Sequence, residues 1–266
     1  MRAAGTQIVA GVTPGRGSQI VCDVPVYNSV NEACASHDID AAVLFVPPLA
    51  VKNAALEDIR CGVKQLVILT EHVPVHDVME LLAVADDHQA RVIGPNSPGV
   101  VIPGSHFVGI MPAWIKSIFK PGLIGVASRS GSLGTLICLD LVRAGLGQSA
   151  FIGVGGDPVV GTTFRDTLEM FEADPATRIV VLVGEVGGSM EEQAADLIPK
   201  LTKPVIAFIA GQTVPEGQRM GHAGALVSAE RGRADGKMRA LRQAGAQVAD
   251  VPSAVSRIAT EVLATM

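Results

Sequence analysis

The sequence predicts an α/β fold made of two doubly wound units. Three observations carry this. Short β-branched runs alternate with amphipathic stretches along nearly the whole chain, the pattern of parallel strands joined by crossover helices. The apolar residues are mostly aliphatic, with one Trp, one Tyr and seven Phe in 266 residues, as suits sheets covered on both faces. The alternation is interrupted once, by a Pro- and Gly-rich stretch at residues 94–121. With 48% hydrophobic and 18% charged residues, the chain can bury one large core or two moderate ones, and the interruption favours two.

In the first half, strands are expected at residues 7–12, 41–46, 65–70 and 91–94, with helices at 50–62 and 75–89. Val78, Leu81, Leu82 and Ala85 recur at helical spacing. Pro95, Pro98, Pro103, Pro112 and Pro121 prevent a long regular element after that, so the boundary is set between a first domain, 1–119, and a second, 120–266. The second carries expected strands at 123–127, 149–154, 179–183, 205–209 and 247–251. Helices at 132–144, 163–172, 190–201, 234–242 and 254–263 alternate with them. The beginning departs from the pattern. A doubly wound nucleotide-binding fold opens with a central strand and a Gly-rich turn, whereas Met1 to Gly5 reads as the last turn of a helix capped by glycine. The first strand and its phosphate loop are therefore expected to be missing.

A net charge of −5 and the lack of a basic stripe exclude nucleic acid as the main partner. The longest apolar run, residues 41–51, is broken by Pro47 and Pro48 and falls short of a bilayer span, and the amino terminus has no signal-peptide core. A soluble, cytoplasmic protein with no membrane partner is expected. Cys22, Cys34, Cys61 and Cys138 show neither CxxC pairing nor metal-ligand spacing, so they receive no role, and no metal site is expected on this chain.

His222 is the leading candidate for chemistry. It sits in the run Gly217-Gln218-Arg219-Met220-Gly221-His222-Ala223-Gly224-Ala225, where flanking glycines leave the imidazole open to a large anion. A histidine in an ordinary glycine-rich surface loop would look the same. Ser128-Arg129-Ser130-Gly131-Ser132 links a strand to a helix amino terminus, which presents free N–H groups and a partial positive charge to a phosphate; helix capping alone also explains the serines. Asp157, in Gly153-Val154-Gly155-Gly156-Asp157-Pro158, and Glu185, in Gly184-Glu185-Val186-Gly187-Gly188-Ser189, close two further strands. Either carboxylate could hold one ring nitrogen of His222 and make the other nucleophilic, and Glu185 has the longer reach. Gly11-Val12-Thr13-Pro14-Gly15-Arg16-Gly17, Leu69-Thr70-Glu71 and Gly94-Pro95-Asn96-Ser97-Pro98-Gly99 end strands of the first sheet on its crevice side.

Taken together and in this order, GVTPGRG, GPNSPGV, SRSGSLG, GVGGDPVVG, GEVGGS, TKPVIAFIAG and GQRMGHAGA resemble the α subunit of succinyl-CoA synthetase (succinate–CoA ligase) over nearly the whole chain. The resemblance implies a Rossmann-like CoA-binding domain followed by a flavodoxin-like ligase domain. It also implies CoA as a substrate, a small carboxylic acid, and an ATP-grasp β subunit that holds ATP or GTP with Mg2+. By the same resemblance His222 is a phosphohistidine, Glu185 supports it, and Ser130 with Gly131 cradles the phosphate. Arg16 stands where the family has a CoA-contacting lysine; Val46, Pro47, Leu69, Thr70, Glu71 and Asn96 match CoA-lining segments. Thr135-Leu136 replaces the family's Tyr-Glu pair near the acyl substrate, which leaves Thr135 as the substrate-side candidate and loosens the choice of acid toward malate or another carboxylate. Ser97 replaces a common cysteine. A non-catalytic acyl-CoA-binding paralogue is the alternative.

Overall fold

The computed structural model describes residues 1–215, 217–218, 220–226 and 232–266. In chain order the first half contains β1 (Gly11–Val12), β2 (Ile20–Val21), β3 (Val24–Tyr27), α1 (Val30–Cys34), β4 (Ala41–Leu44), α2 (Val51–Arg60), β5 (Gln65–Ile68), α3 (Val75–Asp87) and β6 (Arg91–Ile93). A hairpin of β7 (Gly99–Ile102) and β8 (His106–Gly109) follows. The second half contains β9 (Pro121–Ser128), α4 (Gly131–Arg143), β10 (Gln148–Gly153), α5 (Phe164–Ala173), β11 (Ile179–Glu185), α6 (Met190–Ala195), β12 (Val205–Ala210), α7 (Ala234–Gln243), β13 (Gln247–Ala249) and α8 (Ala254–Ala264).

Strands β4, β5 and β6 form a parallel sheet in that order, with Leu44 opposite Ile68 and Val67 opposite Ile93. Val51, Ala55 and Ile59 of α2 and Val78, Leu81 and Ala85 of α3 pack on it around Leu66 and Ile68. These are the positions the 3.6-residue periodicity selects. Strands β1, β3 and β2 form a separate three-stranded sheet. The strand expected at 7–12 shortens to two residues, because β3 offers partners only to Gly11 and Val12. The β2–β3 hairpin and α1 are additions to the sequence reading. The hairpin turns through Cys22 and Asp23, with φ of 51° and 61°, the geometry usually signalled by Asn-Gly. The amino terminus is a single 3-10 turn, Arg2–Ala4, capped by Gly5 at φ 94°.

The second sheet has seven strands in the order β13-β12-β11-β9-β10-β7-β8. Its five strands from β13 to β10 are parallel, and the β7–β8 hairpin is added antiparallel to β10. The hairpin lies inside the Pro- and Gly-rich stretch, where four-residue strands fit between Pro98, Pro103 and Pro112, and it carries this sheet back to Gly99. Central strand β11 is buried along its whole length. Val180 and Leu182 face a core shared with α5, α6 and α7, while Ile179, Val181 and Val183 face one shared with α4 and α8. That two-sided burial is why the run reads as continuously apolar rather than alternating. No helix among the described residues is long and apolar enough to cross a membrane.

In parallel strands every carboxyl end lies on the same edge. That edge therefore collects Ser128–Gly131 after β9, Val154–Asp157 after β10 and Glu185–Ser189 after β11. In the first half it collects Val46 and Pro47 after β4, Leu69 to Glu71 after β5, and Asn96 after β6.

Candidate active site

Glu185 is the last residue of β11, with a side chain only 3% exposed. Both of its carboxylate oxygens lie 2.9 Å from Nδ1 of His222. Of the two acids that the sequence left open, Glu185 holds the ring. Asp157 instead has neither oxygen in a hydrogen bond among the described residues. It faces Asn96 and the backbone of His72 and Val73, and burial pushes its carboxyl above the ordinary range.

With Nδ1–H given to Glu185, Nε2 carries the free lone pair, and the His222 side chain is 27% exposed, open enough to meet a substrate. The hydrogen bond that His222 donates to Glu185 raises the His222 pKa above its ordinary 6.5, aided by the charges of Glu185 and Glu71; burial and Arg129 act against it. The position of the ring is set by its neighbours. A Cβ at Gly156 would lie 2.5 Å from His222 Cγ, so glycine there lets the imidazole lie against the backbone. Gly221, at φ 71°, supplies the left-handed turn that presents His222. Arg219, part of the same sequence motif, lies outside the described residues.

Arg129 ties the serine-rich turn to the histidine loop. It is 3% exposed, its Nε is 3.3 Å from Glu185 Oε1, and its Nη2 would lie 3.0 Å from a Cβ on Gly224. The next residue, Ser130, is the N-cap of α4, its hydroxyl accepting from the Leu133 N–H at 3.3 Å. Gly131 begins the helix, where a Cβ would press on Pro98 at 3.1 Å. The helix amino terminus, with its partial positive charge, thus follows directly on the arginine that contacts Glu185. Thr135, one turn into α4, donates to the Gly131 carbonyl at 2.7 Å.

A run of hydrogen bonds, all but one of them between main-chain groups, joins the two halves of the site. Thr70 Oγ1 donates to the Val46 carbonyl at 2.6 Å, and the Asn96 N–H donates to the Thr70 carbonyl at 2.9 Å. The Gly156 N–H donates to the Asn96 carbonyl at 3.2 Å, and the Gly224 N–H to the Gly156 carbonyl at 2.9 Å. Val46, Thr70 and Asn96 are thereby held in register with the histidine loop, with Pro47, Leu69 and exposed Glu71 flanking them. Arg16 is exposed on the turn after β1, which Asn28 pins by accepting from the N–H groups of Gly15 and Gly17 at 3.0 and 2.9 Å. Asn28 went unnoticed in the sequence. So did Arg129 as a contributor and the buried pair Glu191 and Lys237 beside it, although a lysine within the apolar stripe Ala234, Met238, Leu241 of α7 is a readable signal. Among the described residues no group of three His, Cys, Asp or Glu side chains is placed to hold a metal ion.

Residues 127–247 match the CoA-ligase family, and residues 1–72 match the CoA-binding domain family. The chain is 47% identical to a succinate–CoA ligase [ADP-forming] subunit alpha 2 of Archaeoglobus fulgidus over 259 residues, 97% of this chain and 89% of that one. The chain belongs to the succinate–CoA ligase α-subunit family. Identity to the corresponding α subunit of Methanothermobacter thermautotrophicus is 51% over 251 residues, covering 94% of this chain and 84% of the relative. An ADP-forming sulfoacetate-CoA ligase subunit of an Acholeplasma species is 44% identical over 260 residues, 97% of this chain and 88% of that one. The ATP citrate lyase of Methanothrix soehngenii, solved with citrate and coenzyme A, superposes with a TM-score of 0.84 at 26% identity. The match covers 91% of this chain but 42% of the lyase chain. This family member is thus an acid–CoA ligase subunit, with a CoA-binding domain followed by a parallel-sheet ligase domain, and its relatives act on more than one acid.

Proposed function

We propose that this α subunit carries a phosphoryl group on His222 during ligation of a small dicarboxylic or related acid, succinate first, to CoA. A carboxylate is a poor acyl donor to a thiol, so the reaction is divided. Neutral His222 attacks the γ-phosphorus of the nucleotide through Nε2, forming an N–P bond and releasing the nucleoside diphosphate. The acid carboxylate then takes the phosphoryl group, giving an acyl phosphate and free imidazole. Finally the CoA thiol attacks the acyl carbon; the C–O bond to phosphate breaks, and acyl-CoA, phosphate and a proton leave. The observation that carries this reading is the two-oxygen grip of buried Glu185 on Nδ1, which fixes the tautomer and leaves Nε2 as the nucleophile.

The amino terminus of α4, from Ser130 and Gly131, steadies the travelling phosphate. CoA lies along Val46, Pro47, Leu69, Thr70, Glu71 and Asn96, which follow β4, β5 and β6 at the carboxyl edge of their sheet, and Arg16, on the turn after β1 of the separate small sheet, offers it a cation. An ATP-grasp β subunit supplies ATP, or GTP, with Mg2+; the ADP-forming names of the relatives favour ATP. Thr135, standing where the resemblance implies a tyrosine, favours a second reading in which malate or another acid replaces succinate. The sulfoacetate ligase relative widens that field. Co-expression with the β subunit and exposure to [γ-32P]ATP is the test. An acid-labile phosphate is expected, absent from His222→Ala; equal labelling of the variant refutes the reading. Competing acids assayed side by side then rank the substrate.

A further inference from the structure

Behind the catalytic pair lies a row of charges that the reaction above does not use. Lys237 of α7 and Glu191 of α6 are both 0% exposed and in direct contact. Lys237 also donates to the Gly187 carbonyl at 2.7 Å and lies 3.8 Å from Glu192, whose pKa is raised by burial. The same Gly187 carbonyl accepts from Arg129 Nη1 at 3.1 Å. Glu191 is shared in the same way. Its Oε1 lies 3.4 Å from Arg129 Nη1 and accepts the Glu185 N–H at 3.1 Å, while Oε2 faces Lys237. Gly184 makes this possible, since a Cβ there would lie 2.6 Å from Glu191 Oε1.

The result is an alternating series, His222, Glu185, Arg129, Glu191, Lys237, drawn from β11, α6, α7, the turn after β9 and the histidine loop. Burying ion pairs this deeply is costly, and an apolar pair of similar volume commonly serves stability as well or better. A role in the site accounts for the retained charge. Arg129 is pulled by two carboxylates, Glu185 through Nε and Glu191 through Nη1. Lys237 satisfies Glu191 from the far side and so weakens its hold on the guanidinium.

We propose that Lys237 and Glu191 are positioning residues that set how Arg129 divides itself between Glu185 and Glu191, and thereby how firmly Glu185 holds the nucleophilic ring of His222. This rests on His222 being the phosphoryl carrier. Among the described residues, the charged groups acting on His222 are Glu185 on β11, Arg129 after β9 and Glu71 after β5, so a change at Lys237 or Glu191 reaches the ring through Arg129 and Glu185. Removing Lys237 draws Arg129 toward Glu191, and the imidazolium is then favoured. Neutralising Glu191 sends Arg129 to Glu185 and disfavours it. A merely structural loosening would move both variants in one direction.

The experiment uses the complex with the β subunit in four forms: wild type, Lys237→Met, Glu191→Gln and the double variant. The titration midpoint of His222 is followed by deuterium exchange at its ring carbon, read by mass spectrometry, and the initial rate of His222 labelling by [γ-32P]ATP is followed across pH. The expected result is a midpoint and acid limb displaced upward in Lys237→Met and downward in Glu191→Gln. Shifts of the same sign, or none, overturn the proposal. If a single variant does not fold, the double variant, neutral and matched in size, decides: labelling slowed about tenfold at its optimum, the scale of loss seen when a supporting partner is removed, supports the relay, and a wild-type rate overturns it. Absence of labelling in the wild type would instead refute the phosphohistidine reading, and the midpoint shifts would still judge the relay.

Discussion

Gly156→Ala should slow phosphorylation of His222 without unfolding the protein. The φ of Gly156 lies outside the left-handed region, so alanine suits its backbone. The new methyl, however, would lie 2.5 Å from His222 Cγ, 2.8 Å from Nδ1 and 2.9 Å from Cβ. Relief to an ordinary carbon contact of about 3.5 Å needs a ring shift of about 1 Å. Moving Nδ1 that far stretches its 2.9 Å contacts with Glu185 past the range of a hydrogen bond. A hydrogen bond to a charged partner contributes about 1.5–3 kcal/mol, so the labelling rate should fall by about 10- to 150-fold, at about 1.4 kcal/mol per tenfold. Single-turnover labelling of the reconstituted complex measures the rate, and thermal melting checks that the fold survives. Gly155→Ala is the contrast: its φ of 112° and a Cβ 2.2 Å from the Pro95 carbonyl should cost folding itself. A Gly156→Ala protein that folds and labels at the wild-type rate would show that the ring does not need its grip from Glu185.

Because Glu185 raises the His222 pKa and only neutral imidazole attacks, the labelling rate should decline as pH falls through a limb above 6.5; a limb below that value in a rate–pH series would contradict the geometry. Asp58, 6% exposed in α2, has its carboxyl raised by burial, and by the neighbouring Glu57, to about 7 from 3.8. A folded pKa above the unfolded one contributes stability that is present below 3.8 and lost as pH rises through 7. Asp58→Asn should therefore gain on the wild type between these pH values and level off above, with a ceiling of about 4 kcal/mol; denaturant melts at pH 4 and pH 8 that differ equally from wild type would refute this. Ser130→Ala removes the N-cap of α4, whose 3.3 Å bond to Leu133 is long, so the stability loss should sit near the low end of the usual range, about 0.5 kcal/mol. Its labelling rate should fall further than that loss explains, and an unchanged rate would dissociate the helix end from the phosphate.

The ligase half was legible because its strands are buried on both faces and its helices keep apolar residues at 3.6-residue spacing, so β9 to β12, α4 and α5 fall within a few residues of expectation. The β2–β3 hairpin was hidden because Cys22-Asp23 carries no glycine, and the β7–β8 hairpin because prolines obscure two strands of four residues. At the site, spacing marked His222 and offered both Asp157 and Glu185 as partners. Both acids lie on the carboxyl edge of the sheet, and the 2.9 Å contacts of Glu185 with Nδ1 decide between them. Arg129 and Asn28 escaped notice because their contacts join residues far apart in sequence, at Glu185 and at Gly15 and Gly17.

The bonds that join Val46, Thr70, Asn96, Gly156 and Gly224 have a consequence for how such proteins diverge. Three of the four run between main-chain groups, and the fourth needs only a hydroxyl at Thr70. Drift in the surrounding side chains therefore leaves the alignment between the CoA-binding and ligase halves untouched. Hybrids that splice residues 1–93 of a relative onto this ligase half should inherit a working seam, and new acid preferences can then evolve on one side without retuning the other.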